Sequence, residues 1–280
     1  MQQYRQYRSA EAIPVRPPPR SAEAEPQPND GRTAPNSRTV FKKCTIFAAR
    51  NNNLETMRDI TPISERILYE DNHLIIVHKL ASEIVQSDKT GDETLAEKIR
   101  AFLKEKYQKP GNVFVGIVHR IDRPVSGVVI YAKTSKGLFR MNEVFKERKI
   151  RKFYHVLVEQ KPQILEQTLE QFIRKNAKLN RSVISNEPKE GYVTASLHYK
   201  YLQPTDNYHL LEVELFTGRH HQIRAQLAAN GTCIKGDLKY GARRSNPNGS
   251  ISLQAQKVIF EHPIAHKMIE VETPFGLFQN

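Results

Sequence analysis

The chain has 280 residues, a length that fits one large domain or two smaller ones at the usual ~100 to 200 residues each. Hydrophobic residues make up 39% and charged residues 26%, enough apolar surface to build a core, which excludes disorder along the whole length. Lysine plus arginine (43) exceeds aspartate plus glutamate (30) by 13 and the pI is near 9.7, a balance that favours a polyanionic partner, nucleic acid first, or else serves solubility alone.

No stretch approaches the ~20 consecutive apolar residues that span a bilayer, and MQQYRQYRSAEA lacks the apolar block of a secretory signal. Cys44 and Cys233 are the only cysteines and no CxxC pair occurs, so neither a disulfide framework nor a structural zinc site is expected. These features predict a soluble protein of the reducing cytoplasm.

Residues 1 to 40 hold seven of the sixteen prolines, six arginines and four acids without apolar periodicity, so residues 1–60 are expected to form a disordered tail and 61–280 the folded domain. ILYEDNHLIIVHK places two apolar runs about the turn-forming pair Asp71 and Asn72 and predicts a β-hairpin. Asp92 can cap a helix carrying Leu95, Ile99, Phe102 and Leu103, which Pro110 and Gly111 end. VFVGIV (113 to 118) and GVVIYAK (127 to 133) read as strands around the polar loop HRIDRPVSG. Thr134 or Ser135 can cap a helix with Leu138, Met141 and Phe145 on one face, followed by the strand KFYHVLVEQ. A basic, turn-rich stretch, RKNAKLNR (174 to 181), separates it from the strands VTASLHYKYL and YHLLEVELF. A helix from near Arg219 to Gly231 and the short strands KVIFE and MIEVE complete the reading. Adjacent runs of strands with three helices predict an α+β fold on a mostly antiparallel sheet.

Two segments carry candidate chemistry. In GRHHQIRAQLAANG, His220, Ile223, Arg224 and Leu227 fall on one helical face, which places Arg224 in an inward stripe. A buried guanidinium calls for a buried carboxylate or a bound phosphate, or it forms a structural ion pair. In HRIDRPVSG, Asp122 lies between Arg120 and Arg123 on a loop set by rigid strands, where it either caps a turn or does chemistry. From Arg140 to Tyr154, six basic residues alternate with Phe145, Phe153 and Tyr154, a pattern suited to RNA or to a solvated helix face. Arg174, Lys175, Lys178 and Arg181 form a second such stretch. His220 and His221, adjacent on a helix, are expected to lie about 100° apart and not to converge on a metal.

HRIDRPVSG resembles the HRLDxxTSG signature of the RluA-type pseudouridine synthases, and TGRHHQIRAQLAANGTCIKGDLKYG resembles their GRxHQIRxHxxxxGxPIxGDxxYG signature. The resemblance runs from about Ile63 to Phe275 and includes nothing like the S4 RNA-binding domain of many relatives. It implies the pseudouridine synthase fold, with an active-site cleft across a mixed sheet. It also implies an isomerase that breaks the C1′–N1 bond of a uridine in structured RNA, ribosomal (23S) or transfer, and rejoins the base through C5. Asp122 then takes the catalytic position, Tyr154 stacks on the base, Arg224 pairs with Asp122, and Arg120 fills the space of the flipped nucleotide. Lys152 and Arg219 join Arg120 as RNA-binding residues. No cofactor or metal is needed, because neither electrons nor phosphate move; an RNA stem-loop is the one partner called for, and a monomer is expected.

Val125, Gln226, Cys233 and Gln254 depart from the family pattern at supporting positions, which bears on substrate choice. A glycosidase or nucleosidase would use two carboxylates, with Asp237 as the second, and would release free base. A pure RNA-binding module has no use for Asp122 among the cations. The H-x-E and PCxxC signature of a zinc deaminase is absent.

Overall fold

The computed structural model describes residues 61–87 and 91–274. The expected tail at 1–60, with Cys44, lies outside the described residues. The hairpin forms as expected: β1 (Ile67–Glu70) pairs antiparallel with β2 (Leu74–Lys79). Asp71 holds the turn, its Oδ1 accepting from the backbone N–H of both His73 and Leu74 at 2.7 Å.

Helix α1 (Leu95–Lys106) starts two residues later than an Asp92 cap requires. Thr94 is its N-cap, accepting from Glu97 N while the Glu97 carboxylate accepts from Thr94 N, a reciprocal capping box. Asp92 instead pairs with Arg123 at 2.6 Å. Of VFVGIV only Gly116–Ile117 forms strand, β3, paired to β4 (Ser126–Ala132). Thr134 caps α2 (Ser135–Lys146), and β5 (Ile150–Val158) follows. The stretch 174–181 is not a separator: it is the end of β6 (Glu166–Asn176), a four-residue turn, and the start of β7 (Arg181–Ser185). Strands β8 (Val193–Pro204) and β9 (His209–Leu215), helix α3 (Gln222–Ala229), and strands β10 (Leu253–Glu261) and β11 (Met268–Glu272) complete the described chain.

All eleven described strands join one sheet, ordered β1-β2-β4-β10-β5-β9-β8-β6-β7, with β3 on β4 and β11 on β10. One pairing is parallel, Gln254 and Ala255 of β10 beside Ser126 and Gly127 of β4. This α+β architecture agrees with the sequence expectation. Helix α1 packs its Leu95, Ile99 and Leu103 against Ile75, Val77 and Val129 on one part of the sheet, while Ile223 and Leu227 of α3 close over β5, β8 and β9. No helix among the described residues is long and apolar enough to cross a membrane.

Candidate active site

Asp122 sits in the loop that enters β4, and the loop is fastened on several sides. Val125 N–H donates to Asp122 O, Ser82 N–H to Arg123 O, and Ile251 N–H to Pro124 O. Beneath it lies Lys79, fully buried, whose Nζ donates to the carbonyls of Leu80 (3.0 Å), Arg123 (3.1 Å) and Val125 (2.6 Å). Burial pulls the Lys79 pKa down to about 7 while Glu83 and Asp122 oppose the fall. Three carbonyl acceptors match the three N–H groups of an ammonium, which two N–H groups of an amine would leave partly unserved. The Asp122 side chain does not cap this turn; it faces Arg224.

Helix α3 begins at Gln222, not Arg219, because His221 adopts the left-handed conformation (φ 51°). The Gln222 side chain closes the entry, accepting from Arg219 N–H and from the Thr217 hydroxyl, and donating to Ser196 O. His220 therefore lies off the helix. Its ring stacks on His221 with centroids 3.8 Å apart, in place of the separation expected on a regular helix.

The Arg224 guanidinium is buried, and its Nη1 donates to Asp122 Oδ2 at 3.0 Å. Its tighter partner is Asp237, reached by Nε at 2.6 Å and Nη2 at 2.8 Å in a two-point fork. Burial works against the charge, but the bonds to Asp237 and the field of Asp122 more than offset it, and the Arg224 pKa is raised. The Tyr240 ring lies 5.1 Å from the guanidinium carbon. Asp237 is the site residue that sequence reasoning assigned no such part; its signal was the motif GDLKYG, in which it was weighed only as a hydrolytic acid.

His221 adds a second group at the same oxygen: its Nε2 is 3.6 Å from Asp122 Oδ2. Tyr240 Oη accepts the Ser182 N–H at 2.7 Å and lies 3.0 Å from His221 Nδ1. With the phenol proton given to Nδ1, the imidazole N–H is at Nε2 and faces Asp122. Burial lowers the His221 pKa to about 3 against the pull of Asp122, so the ring is neutral at physiological pH. Oδ1 of Asp122 accepts no hydrogen bond from any described residue.

These groups wall a cavity of about 250 Å³, lined also by Tyr154, His119, Lys152, Arg120 and Arg219. Tyr154 is held in β5 opposite Val213 of β9 and Ala255 of β10. Burial and the nearby Asp122 raise its pKa, so the phenol keeps its proton. Arg120 and Arg219 are exposed at the mouth, and Arg219 Nε donates to Thr194 O. His119 stacks on Phe145 and its Nε2 accepts the Ile130 N–H at 3.0 Å; burial, then the charge of Lys152, lower its pKa to about 3, which leaves a neutral ring with the proton on Nδ1. All six residues expected at the site therefore line one cavity.

Three of the four departures at supporting positions are absorbed by packing, while Gln254, buried in β10, has no hydrogen bond to its Oε1 among the described residues. Val125 is core. Gln226, fully buried, donates to Leu169 O and Ala195 O and accepts from Gln222, fastening α3 to β6 and β8. Cys233 Sγ lies against Tyr240 O. No group of histidine, cysteine and acid side chains suited to a metal ion occurs among the described residues.

In fold the chain resembles human RNA pseudouridylate synthase domain containing 4 (TM-score 0.64, 18% identity, 76% of this chain and 90% of that one covered). It also resembles domain containing 1 (TM-score 0.58, 23% identity, 75% and 83% covered). In sequence it is 31% identical to ribosomal large subunit pseudouridine synthase C of Buchnera aphidicola over 74% of this chain and 66% of that one. It is also 31% identical to an RNA pseudouridine synthase of Bacillus subtilis, over 75% and 68%. The chain thus spans about two thirds of the length of these curated relatives. A family model described as RNA pseudouridylate synthase matches residues 73–229, more than half of the sequence. With both signatures placed around one cavity and that match running from β2 through α3, the chain belongs to the RNA pseudouridylate synthase family, in its RluA-type branch.

Proposed function

We propose that this protein converts uridine to pseudouridine in structured RNA, with Asp122 as the catalytic group and ribosomal RNA as the substrate class. One observation carries the reading: a carboxylate in a basic cavity has one oxygen engaged by Arg224 and faced by His221, and the other without a hydrogen bond from any described residue. Attack on C1′ and removal of a sugar proton both need such a half-free carboxylate, so Oδ1 is the reacting atom on either route. The C1′–N1 bond breaks, the base turns, C1′ joins C5, and the C5 proton leaves as N1 gains one, which balances without a redox partner.

Tyr154 presents its ring to the base; with its pKa raised the phenol keeps its proton and is no standing base. Arg120, Lys152 and Arg219 hold the backbone of an extruded nucleotide and offset the few kcal/mol of unstacking. The preference for ribosomal RNA comes from relatives named for the large ribosomal subunit. A two-carboxylate hydrolysis is disfavoured because Asp237, almost fully buried, has both oxygens committed to Arg224.

The test is tritium release from RNA carrying 5-tritiated uridine, with the target uridine located by mapping pseudouridine in cells with and without the gene. Asp122→Asn is expected to fold and bind RNA yet release no tritium. Release by the folded variant removes Asp122 from the mechanism, and free uracil among the products replaces isomerisation with hydrolysis.

A further inference from the structure

A second cavity, about 300 Å³, opens beside the first, between the turn that leaves α2 and the loop that leaves β9. The two cavities share Phe145, Lys152, Gly218 and Arg219, so they are adjoining rooms with a common wall. Four cations line the second one, Lys146, Arg148, Lys152 and Arg219, and no carboxylate does. Lys146 has only a loose, exposed pairing with Glu143 at 3.9 Å. Lys152 is under-neutralised: burial, then the charge of Arg148, lower its pKa. Clustered cations with so little compensation favour an anion among them. On the same wall Phe216 leaves a large apolar ring 41% exposed, which a packed core would cover and a stacked base can cover instead.

We propose that this second cavity is the subsite for the nucleotide covalently next to the target uridine, its phosphodiester held by Arg148, Lys152 and Arg219 and its base stacked on Phe216. The assignment rests on the isomerase reading for what fills the first cavity. Its own support is separate: an anion site one shared wall from a nucleoside site is within reach of the adjoining phosphodiester, and a free inorganic anion would leave the Phe216 ring unused.

Binding of a fluorescein-labelled uridine decamer, titrated with KCl, tests it on the full chain. Arg148→Ser is expected to make the plot of log affinity against log salt shallower by ~0.7, the contribution of one single-strand phosphate contact. Phe216→Ala is expected to weaken binding roughly 5- to 150-fold, the range for one stacked base, with the slope unchanged. Lys104→Ser on the far helix α1 serves as the control and alters neither. Both test residues are exposed, so melting temperature stays that of the parent. Unchanged slope and affinity in the two variants overturn the subsite, as does failure of the decamer to bind at low salt. If the parent releases no tritium from RNA but the variants behave as stated, the second cavity stands as a phosphodiester-and-base site for single-stranded RNA, and the isomerase reading falls with the place beside a target uridine.

Discussion

Arg224 serves two carboxylates with one guanidinium, and the division is unequal. The fork to Asp237 uses two nitrogens and a fully buried acid, whereas Asp122 receives one longer bond and keeps partial access to water. Removing one member of such a pair strands a buried charge, so Arg224→Met is expected to lose ~3 to 5 kcal/mol in urea unfolding. In double-mutant cycles the coupling of Arg224 to Asp237→Asn should lie near the top of the ~0.5 to 3 kcal/mol range and exceed that to Asp122→Asn. A larger coupling to Asp122 would reverse the order of partners. At Tyr154, Phe is expected to bind RNA almost as the parent does and turn over slowly, while Ala loses ~1 to 3 kcal/mol of stacking as well. Because the Tyr154 pKa is raised, the parent's rate should show no alkaline limb from this phenol below pH 10; a limb near pH 8 that vanishes in Tyr154→Phe contradicts the reading.

At the scale of elements, the site depends on how closely β4 and β10 approach. Gly127 has φ 118°, and a Cβ there would fall 2.2 Å from Ala255 O, a backbone atom that cannot step aside. Gly127→Ala is therefore expected to destabilise the protein by on the order of 3 kcal/mol or more and to displace the Asp122 loop. Near-parental stability and tritium release would show that the strands part at little cost. The strongly patterned elements were legible from the residues: the first hairpin, α1, α2 and β8 to β11 follow from alternation, caps and breakers. The β6–β7 hairpin was not, because only Leu169 and Ile173 of β6 are buried while charged residues fill its outer face, so the strand reads as polar turn. The inward Arg224 told of an acid nearby, and the motifs named Asp122. What stayed hidden was the tighter partner, since only tertiary folding brings Asp237 beneath α3, and the stacked histidines, which follow from one left-handed residue that no periodicity announces.

Among the described residues burial lowers the pKa of five histidines, and three of them shift far: His78 to about 4, His119 and His221 to about 3. In the unfolded chain each of these three takes a proton near pH 6.5, so the stability present above that pH is lost as pH falls from about 6.5 toward 4, by up to ~1.4 kcal/mol per pH unit for each. Urea midpoints measured over that window should fall steeply, and His78→Gln should flatten the slope by about one proton; an unaltered slope means that His78 is charged in the fold. The order of the sheet bears on how the protein is born. Strand β10 alone joins β1-β2-β4, which carries Asp122, to β5-β9-β8-β6-β7, which carries Tyr154 and leads into Arg224, yet it is the last but one of the described strands to be translated. Until Leu253–Glu261 clear the exit tunnel, β4 and β5 have no strand between them and the halves of the reaction centre belong to separate sheets. A chain that stops before Leu253 is accordingly expected to leave the Asp122 and Tyr154 halves unjoined and to release no tritium from RNA.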